Sequence, residues 1–337
     1  MRTIIMNLDW NKTFQKILKS NKIALATHVH PDGDAYGSLL GMWHLLKNNG
    51  SNVTAFVDHT NHNGKYSFLP GYSELIEISQ DNHEMYDLAV TLDCGDKGRV
   101  TGSEWLFSHS RQVINIDHHY SNPMFGHENI VDDRISSTCE LLWKLSVDSK
   151  INISKEAATC LFTGIMTDTG NFLYENTSPE TYRSTADLVE KGADSETVKF
   201  HLYHNKPLAN IQFLGFLIQQ MQVLLDGKVI ILNISREILD NYGVSYEDLD
   251  EFVAFARDIK GVEVSALLKE MKDGNIKISL RSKSYFDVSE LAQQFNGGGH
   301  QRAAGAVSPV DMEKTREQLK NLLEIYFQEK YYDNWNT

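Results

Sequence analysis

The sequence predicts an α/β fold, with an N-terminal domain built on a parallel sheet and a smaller C-terminal α/β domain, on three observations. Short, mainly apolar runs at 23–27, 88–92 and 113–116 read as strands buried on both faces, as in a parallel sheet covered by helices. Segments with apolar residues at helical spacing alternate with them, as crossover connections require. Each run also ends in acids or imidazoles, and open parallel sheets gather ligands just beyond the carboxyl ends of their strands. At 337 residues the chain exceeds the usual single domain. A first domain over 1–192, a helical linker over 193–226 and a second domain over 227–337 are expected.

Composition narrows the function classes. With 41% hydrophobic and 23% charged residues the chain suits a globular protein, and it has no apolar run long enough to cross a bilayer. Residues 1–11, broken by Arg2, Asn7 and Asp9, do not fit a secretory signal, so the cytoplasm is the expected compartment. A net charge of -13 disfavours long nucleic acid, whose binding rests on lysine and arginine neutralising many phosphates, but leaves room for a small anionic substrate. Cys94, Cys139 and Cys160 are odd in number and lack Cys-x-x-Cys spacing; they read as small core residues.

After the first strand, His28-Val29-His30-Pro31-Asp32-Gly33-Asp34 packs potential metal ligands into a turn that leads into a helix over 35–49. Pro31 stops a central strand and Gly33 allows a sharp bend, which lets His28, Asp32 and Asp34 converge. A helix N-cap accounts for such an acid equally well. A second strand over 53–57 is followed by a polar loop that includes His59 and His62, read as loop. Asp93 ends the strand over 88–92, and Asp117-His118-His119 ends the one over 113–116. Ser137 and Glu140 stand in capping-box register before a helix. The helical pattern over 155–166 runs into Asp168, an acid poorly suited to a helix C-terminus unless it has another use. A further helix covers 181–192.

The second domain reads as strand 229–234, helix 246–259, strands 262–269 and 276–281, and helix 288–295. The loop Asn296-Gly297-Gly298-Gly299-His300-Gln301-Arg302 follows. Consecutive glycines let a backbone approach a ligand closely, and their N–H groups with His300 and Arg302 would form an anion nest, supported by Arg281 and Lys283. A merely flexible loop is the plainer alternative. An amphipathic helix over 312–331 closes the chain, with an aromatic tail expected to pack.

The order His28-x-x-Pro31-Asp32-x-Asp34, Asp93, Asp117-His118-His119, Asp168, followed by Gly297-Gly298-Gly299-His300, resembles the DHH phosphoesterases with their associated DHHA1 domain. The likeness spans nearly the whole chain and is greatest to the nanoRNase and pAp phosphatase group. It implies two Mn2+ ions: His28 and Asp32 on one, Asp34, His118 and Asp168 on the other, and Asp93 bridging both. It further implies that His119 contacts the scissile phosphate, that Asp117 orients this segment, and that Arg281, Gly298, Gly299, His300 and Arg302 bind substrate phosphate. Asn296 stands where many members have a fourth glycine, and His30 has no counterpart role.

The donor set agrees with this chemistry. Four carboxylates and two imidazoles without thiolate suit Mn2+ better than zinc, and paired cations can activate water for attack on phosphorus without a protein nucleophile. The expected substrates are short 5'-phosphorylated oligoribonucleotides and 3'-phosphoadenosine 5'-phosphate. Cyclic di-AMP or pApA hydrolysis is the alternative, and a catalytically silent nucleotide-binding regulator the third reading. A homodimer is compatible with the sequence.

Overall fold

A computed structural model describes residues 10–58, 64–79, 83–244 and 249–330. His59, His62 and the aromatic tail from Tyr331 lie outside these residues. The chain divides into two compact units, 1–205 and 206–337. The segment expected as a linker is shared between them.

In the first unit, α1 (Trp10–Lys19) precedes β1 (Lys22–Ala26), α2 (Gly33–Asn48), β2 (Asn52–Phe56), β3 (Leu88–Leu92), α3 (Ser103–Ser108), β4 (Val113–Asp117) and β5 (Glu128–Val131). Helices α4 (Thr138–Asp148), α5 (Lys155–Asp168), α6 (Pro179–Glu190) and α7 (Ser195–Lys199) follow, the last running into a π turn over Phe200–His204. All pairings in the five-stranded sheet are parallel, and its order is β2-β1-β3-β4-β5. The order reverses between β1 and β3, so the chain leaves these neighbouring strands in opposite directions and opens a crevice at their carboxyl ends. Strands β3 and β4 are buried at every position, which is why they show as mainly apolar runs. Cys94, Cys139 and Cys160 are buried free thiols of this core.

Helices α2 and α5 lie unusually close. A Cβ on Gly37 would fall 2.6 Å from the Cys160 carbonyl oxygen and 2.9 Å from Cys139 Sγ; one on Gly33 would fall 2.4 Å from Thr167 Oγ1, and one on Gly41 2.6 Å from Leu161. Glycine at every fourth position thus clears one face of α2. From the other side, a Cβ on Gly164 would fall 2.6 Å from Asp34 Oδ1. Gly33 therefore serves contact rather than the bend assigned to it, and the backbone reverses at His30, with φ +56°.

The second unit comprises α8 (Leu208–Gln220), β6 (Gln222–Leu224), β7 (Val229–Ile234), α9 (Arg236–Tyr242), α10 (Leu249–Asp258), β8 (Val264–Glu270), β9 (Ile276–Ser282), α11 (Val288–Gln293), β10 (Gly298–His300), β11 (Ala303–Ser308) and α12 (Met312–Lys330). Its mixed six-stranded sheet has the order β10-β11-β9-β8-β7-β6. Along α12, Leu319, Leu323 and Phe327 recur every four residues and are buried in the core, the apolar stripe of a helix lying on it, with Thr315 buried one turn earlier. The glycine run is a strand rather than a loop. Gly298, Gly299 and His300 pair antiparallel with Gly305, Ala304 and Ala303, leaving Gln301 and Arg302 as the hairpin turn.

Candidate metal centre

Residues 27–29 are pinned on two sides before the chain turns. Thr27 Oγ1 donates to the Leu92 carbonyl at 2.8 Å, Val29 N–H donates to Arg99 at 2.7 Å, and Thr101 N–H donates to Thr27 at 2.8 Å. His28 is thereby buried, with Nδ1 2.9 Å from the Val29 carbonyl and Nε2 3.6 Å from Asp93 Oδ2. Fixing one ring nitrogen on a carbonyl leaves the other aimed as a ligand, the usual support for a metal-binding histidine. Asp32 is the N-cap of α2, its Oδ1 accepting from Asp34 and Ala35 N–H at 3.1 Å and lying 4.0 Å from His28 Nε2. The capping explanation and the ligand explanation hold for the same carboxylate.

Asp34, in the first turn of α2, is buried and accepts at its two oxygens from the first N–H groups of α4: Thr138 at 2.7 Å and Cys139 at 3.0 Å. A helix N-terminus favours negative charge there. Asp93 ends β3 in the left-handed region, φ +56°, a strained conformation for a non-glycine residue. Its Oδ1 faces His118 Nε2 at 3.6 Å and accepts from Thr138 Oγ1 at 3.2 Å, while Oδ2 faces His28. Asp168, the last residue of α5, brings Oδ2 to 3.2 Å from His118 Nε2. The acid at a helix C-terminus thus has its imidazole partner.

Ligand atoms of His28, Asp32 and Asp93 lie within 4.8 Å of one another, and so do those of Asp34, His118 and Asp168. Asp93, His118 and His119 form a third such trio. His119, however, has its Nδ1 2.7 Å from Asp117 Oδ1 and 3.7 Å from Asp93, so that nitrogen belongs to Asp117.

Electrostatics separate the imidazoles. Burial works against protonation of His28, but its hydrogen bond to Asp93 and the charges of Asp32 and Asp93 outweigh it and raise the pKa to about 9. His119 is likewise opposed by burial yet raised to about 9 by Asp117 and Asp93. Burial prevails at His118, whose pKa is lowered. Burial and the neighbouring acids push the Asp34 and Asp168 carboxyls well up; burial also acts to raise Asp93, but His28, His119 and His118 hold it below the usual carboxylate range. Carboxyls raised by their neighbours' negative charge, beside imidazoles raised by the same acids, mark a cluster short of positive charge. Divalent cations supply that charge, and the oxygen-rich, thiolate-free donor set fits them.

Three supporting residues carried no sequence signal. Asn122 donates through Nδ2 to Asp117 Oδ2 at 2.5 Å and to Asn115 Oδ1 at 2.7 Å, while Asn115 Nδ2 donates to Thr91 Oγ1 at 3.0 Å. This buried chain fixes Asp117 behind His119. Thr138 holds Asp34 and Asp93 together. The expected capping box is half formed: Ser137 Oγ accepts from Glu140 N–H at 3.0 Å, but the Glu140 carboxylate turns back to Ser136, whose N–H it accepts at 3.1 Å.

Comparison with known proteins identifies the family. The DHH family N-terminal domain matches residues 22–165 and the DHHA1 domain residues 226–329. The bifunctional oligoribonuclease and PAP phosphatase NrnA of Thermus thermophilus is 33% identical over 301 residues, 88% of this chain and 87% of its own. The chain belongs to the DHH–DHHA1 family of phosphoesterases. An exopolyphosphatase-related protein of Bacteroides fragilis shares the fold with a TM-score of 0.87 and 30% identity, covering 94% of this chain and 96% of its own. RecJ of Thermus thermophilus, solved with Mn2+, shares the fold at TM-score 0.56 and 14% identity, covering 95% of this chain and 55% of its own. Among the described residues, no helix of this DHH–DHHA1 phosphoesterase is long and apolar enough to cross a membrane.

In the DHHA1 unit the expected phosphate binders gather around the β10–β11 hairpin. Arg281 pairs with Ala303 across β9 and β11, next to the turn that carries Arg302. The glycines differ in their reasons. A Cβ on Gly297 would fall 2.2 Å from the Gly305 carbonyl, and one on Gly299, at φ +144°, 2.5 Å from that of Ala303; one on Gly298 would meet nothing within 4 Å. Asn296, at φ +54°, occupies the left-handed region that asparagine tolerates, so it fits the place of a glycine. The side chain of His300 lies outside the described set.

Proposed function

We propose that this DHH–DHHA1 phosphoesterase uses two Mn2+ ions to hydrolyse short 5'-phosphorylated oligoribonucleotides and 3'-phosphoadenosine 5'-phosphate. The observation that carries the reading is the pair of ligand trios with Asp93 between them: His28 and Asp32 on its Oδ2 side, His118 with Asp34 and Asp168 on its Oδ1 side. The name of the Thermus relative and the Mn2+ in the RecJ structure support substrate and ion. When bound, two such cations activate water and neutralise charge developing on the phosphoryl oxygens.

The chain's residues divide the remaining work. His28, Asp32, Asp93, His118, Asp34 and Asp168 hold the ions, and Thr138 and the α4 N-terminus keep Asp34 in place. His119, protonated and held by Asp117, donates to a phosphoryl oxygen, and Asn122 keeps Asp117 from turning away. Arg281 and Arg302, with the backbone of Gly298, Gly299 and His300, receive a second phosphate. Gly298 needs to be small for no neighbour in its own fold, which suits a backbone that a ligand approaches closely. The test is purified protein with Mn2+ against pApA, pAp, a five-nucleotide RNA and cyclic di-AMP. Fastest turnover of the RNA and pAp supports the proposal, and a clear preference for cyclic di-AMP replaces it with second-messenger turnover.

A further inference from the structure

The loop after β9 has no regular structure, yet four consecutive backbone N–H groups in it end on one residue, Glu263. Lys283 N–H donates to the Glu263 backbone carbonyl at 2.8 Å. Those of Ser284, Tyr285 and Phe286 all donate to its side-chain Oε1, at 3.0, 2.8 and 2.9 Å, while Ser284 Oγ donates to Oε2 at 2.7 Å. Successive N–H groups converging on one oxygen form an anion nest, here filled by the protein's own carboxylate. Glu263 is 4% exposed, and a buried carboxylate is tolerated only when its oxygens are hydrogen-bonded in this way. An apolar side chain would fill the space and leave three N–H groups unpaired.

What this loop carries is the turn of the β10–β11 hairpin. The Phe286 carbonyl accepts from Arg302 Nη1 at 2.9 Å, and Val288 N–H donates to the Gln301 carbonyl at 2.9 Å. From the end of β9, Ser282 N–H donates to the Arg302 carbonyl at 3.1 Å and Ser282 Oγ to that of Gln301 at 3.2 Å. Backbone and guanidinium of Arg302 are thus both tied to the segment 282–288, and that segment is tied to Glu263.

We propose that Glu263 is a positioning residue for substrate binding: by filling the nest of residues 284–286 it sets the Phe286 carbonyl that aims Arg302 at a substrate phosphate. The inference rests on the reading that Arg302 receives such a phosphate. A guanidinium held through one of its nitrogens presents the others in a fixed fork, and losing that orientation weakens a charge-assisted contact without touching the hydrolytic residues.

The experiment measures KM and kcat for pApA with Mn2+ in Glu263→Ala, Glu263→Gln, Arg302→Ala and the double variant Glu263→Ala/Arg302→Ala. Glu263→Ala is expected to raise KM about tenfold, the scale of one weakened charged hydrogen bond, with kcat held within about twofold. Glu263→Gln, which keeps an oxygen for the nest, should restore KM to within about threefold of the parent. The double variant should be no worse than Arg302→Ala alone, because both changes remove one contact. Additive losses, or a fall in kcat with KM unchanged, would assign Glu263 to general scaffolding and overturn the proposal while leaving Arg302 in place. An Arg302→Ala variant with unaltered KM overturns the underlying reading and this inference with it. Should Glu263→Ala not fold, Glu263→Asp, one methylene short of the nest, carries the same test: a severalfold rise in KM supports the proposal and no rise overturns it.

Discussion

At the scale of single residues, the division of labour between adjacent histidines is the sharpest consequence of the geometry. His118 Nε2 faces three carboxylates while His119 Nδ1 is engaged by Asp117. His118→Ala should therefore lose bound manganese, whereas His119→Ala should keep it and lose about 100- to 1,000-fold in kcat, the cost of one transition-state donor. Asp93→Ala should lose both metal and turnover, since its two oxygens face opposite trios. Equal manganese loss in both histidine variants, measured by elemental analysis, would merge the two roles. The shifted protonation adds a second expectation. His28 is raised to about 9 and must surrender its proton to become a ligand. Manganese binding near neutral pH should thus release protons, and its affinity should rise with pH up to about 9. Titration calorimetry in buffers of differing ionisation heat reads this directly, and buffer-independent heats would contradict it.

At the scale of elements, close approach of α2 and α5 decides where Asp34 and Asp168 stand. Gly37→Ala places a methyl against the rigid Cys160 carbonyl, so overpacking of about 1–3 kcal/mol should outweigh the gain of about 1 kcal/mol that alanine offers a helix. Gly215 in α8 is the matched control. A Cβ there meets nothing within 4 Å, so Gly215→Ala should stabilise by up to about 1 kcal/mol. Thermal or urea denaturation of the two variants checks the opposite signs. Elements with a strong period were legible in sequence: β1, β3 and β4 as apolar runs, α2, α5 and α12 as helical stripes. Strand β5 was not, because Glu128 and Asn129 leave its first half only partly buried and no run forms. Strands β10 and β11 were hidden for another reason. Glycine and alanine have little strand propensity, and it is the pairing of β10 with β11, and of β11 with β9, that makes them a sheet. The candidate metal ligands were legible because histidine and aspartate at strand ends are chemically conspicuous. Asn115, Asn122, Thr138 and Glu263 were not, since an ordinary polar residue gains its role only from what folding sets beside it.

At the scale of the whole molecule, a net charge of -13 and a hydrolytic site read as serving short substrates make the same prediction about length. Linear pApA should be cleaved faster than cyclic di-AMP, which has no free terminal phosphate for Arg302, and RNA beyond a few nucleotides should gain little affinity from extra phosphates. Comparing Kd across a length series at fixed salt measures it, and affinity that climbs steadily with length would refute it. The sheet order also has a consequence in time. Candidate ligands run from His28 to Asp168, delivered by β1, β3, β4 and α5, so no trio can close before long stretches of chain have come together. Such non-local contacts form late on the folding route. Manganese should consequently find no partly built site to nucleate upon. It should leave the refolding rate of the catalytic unit nearly unchanged while slowing its unfolding, so that added metal lengthens the lifetime of the native state rather than hastening its birth. Stopped-flow chevrons with and without Mn2+ would show one limb shifted and the other still.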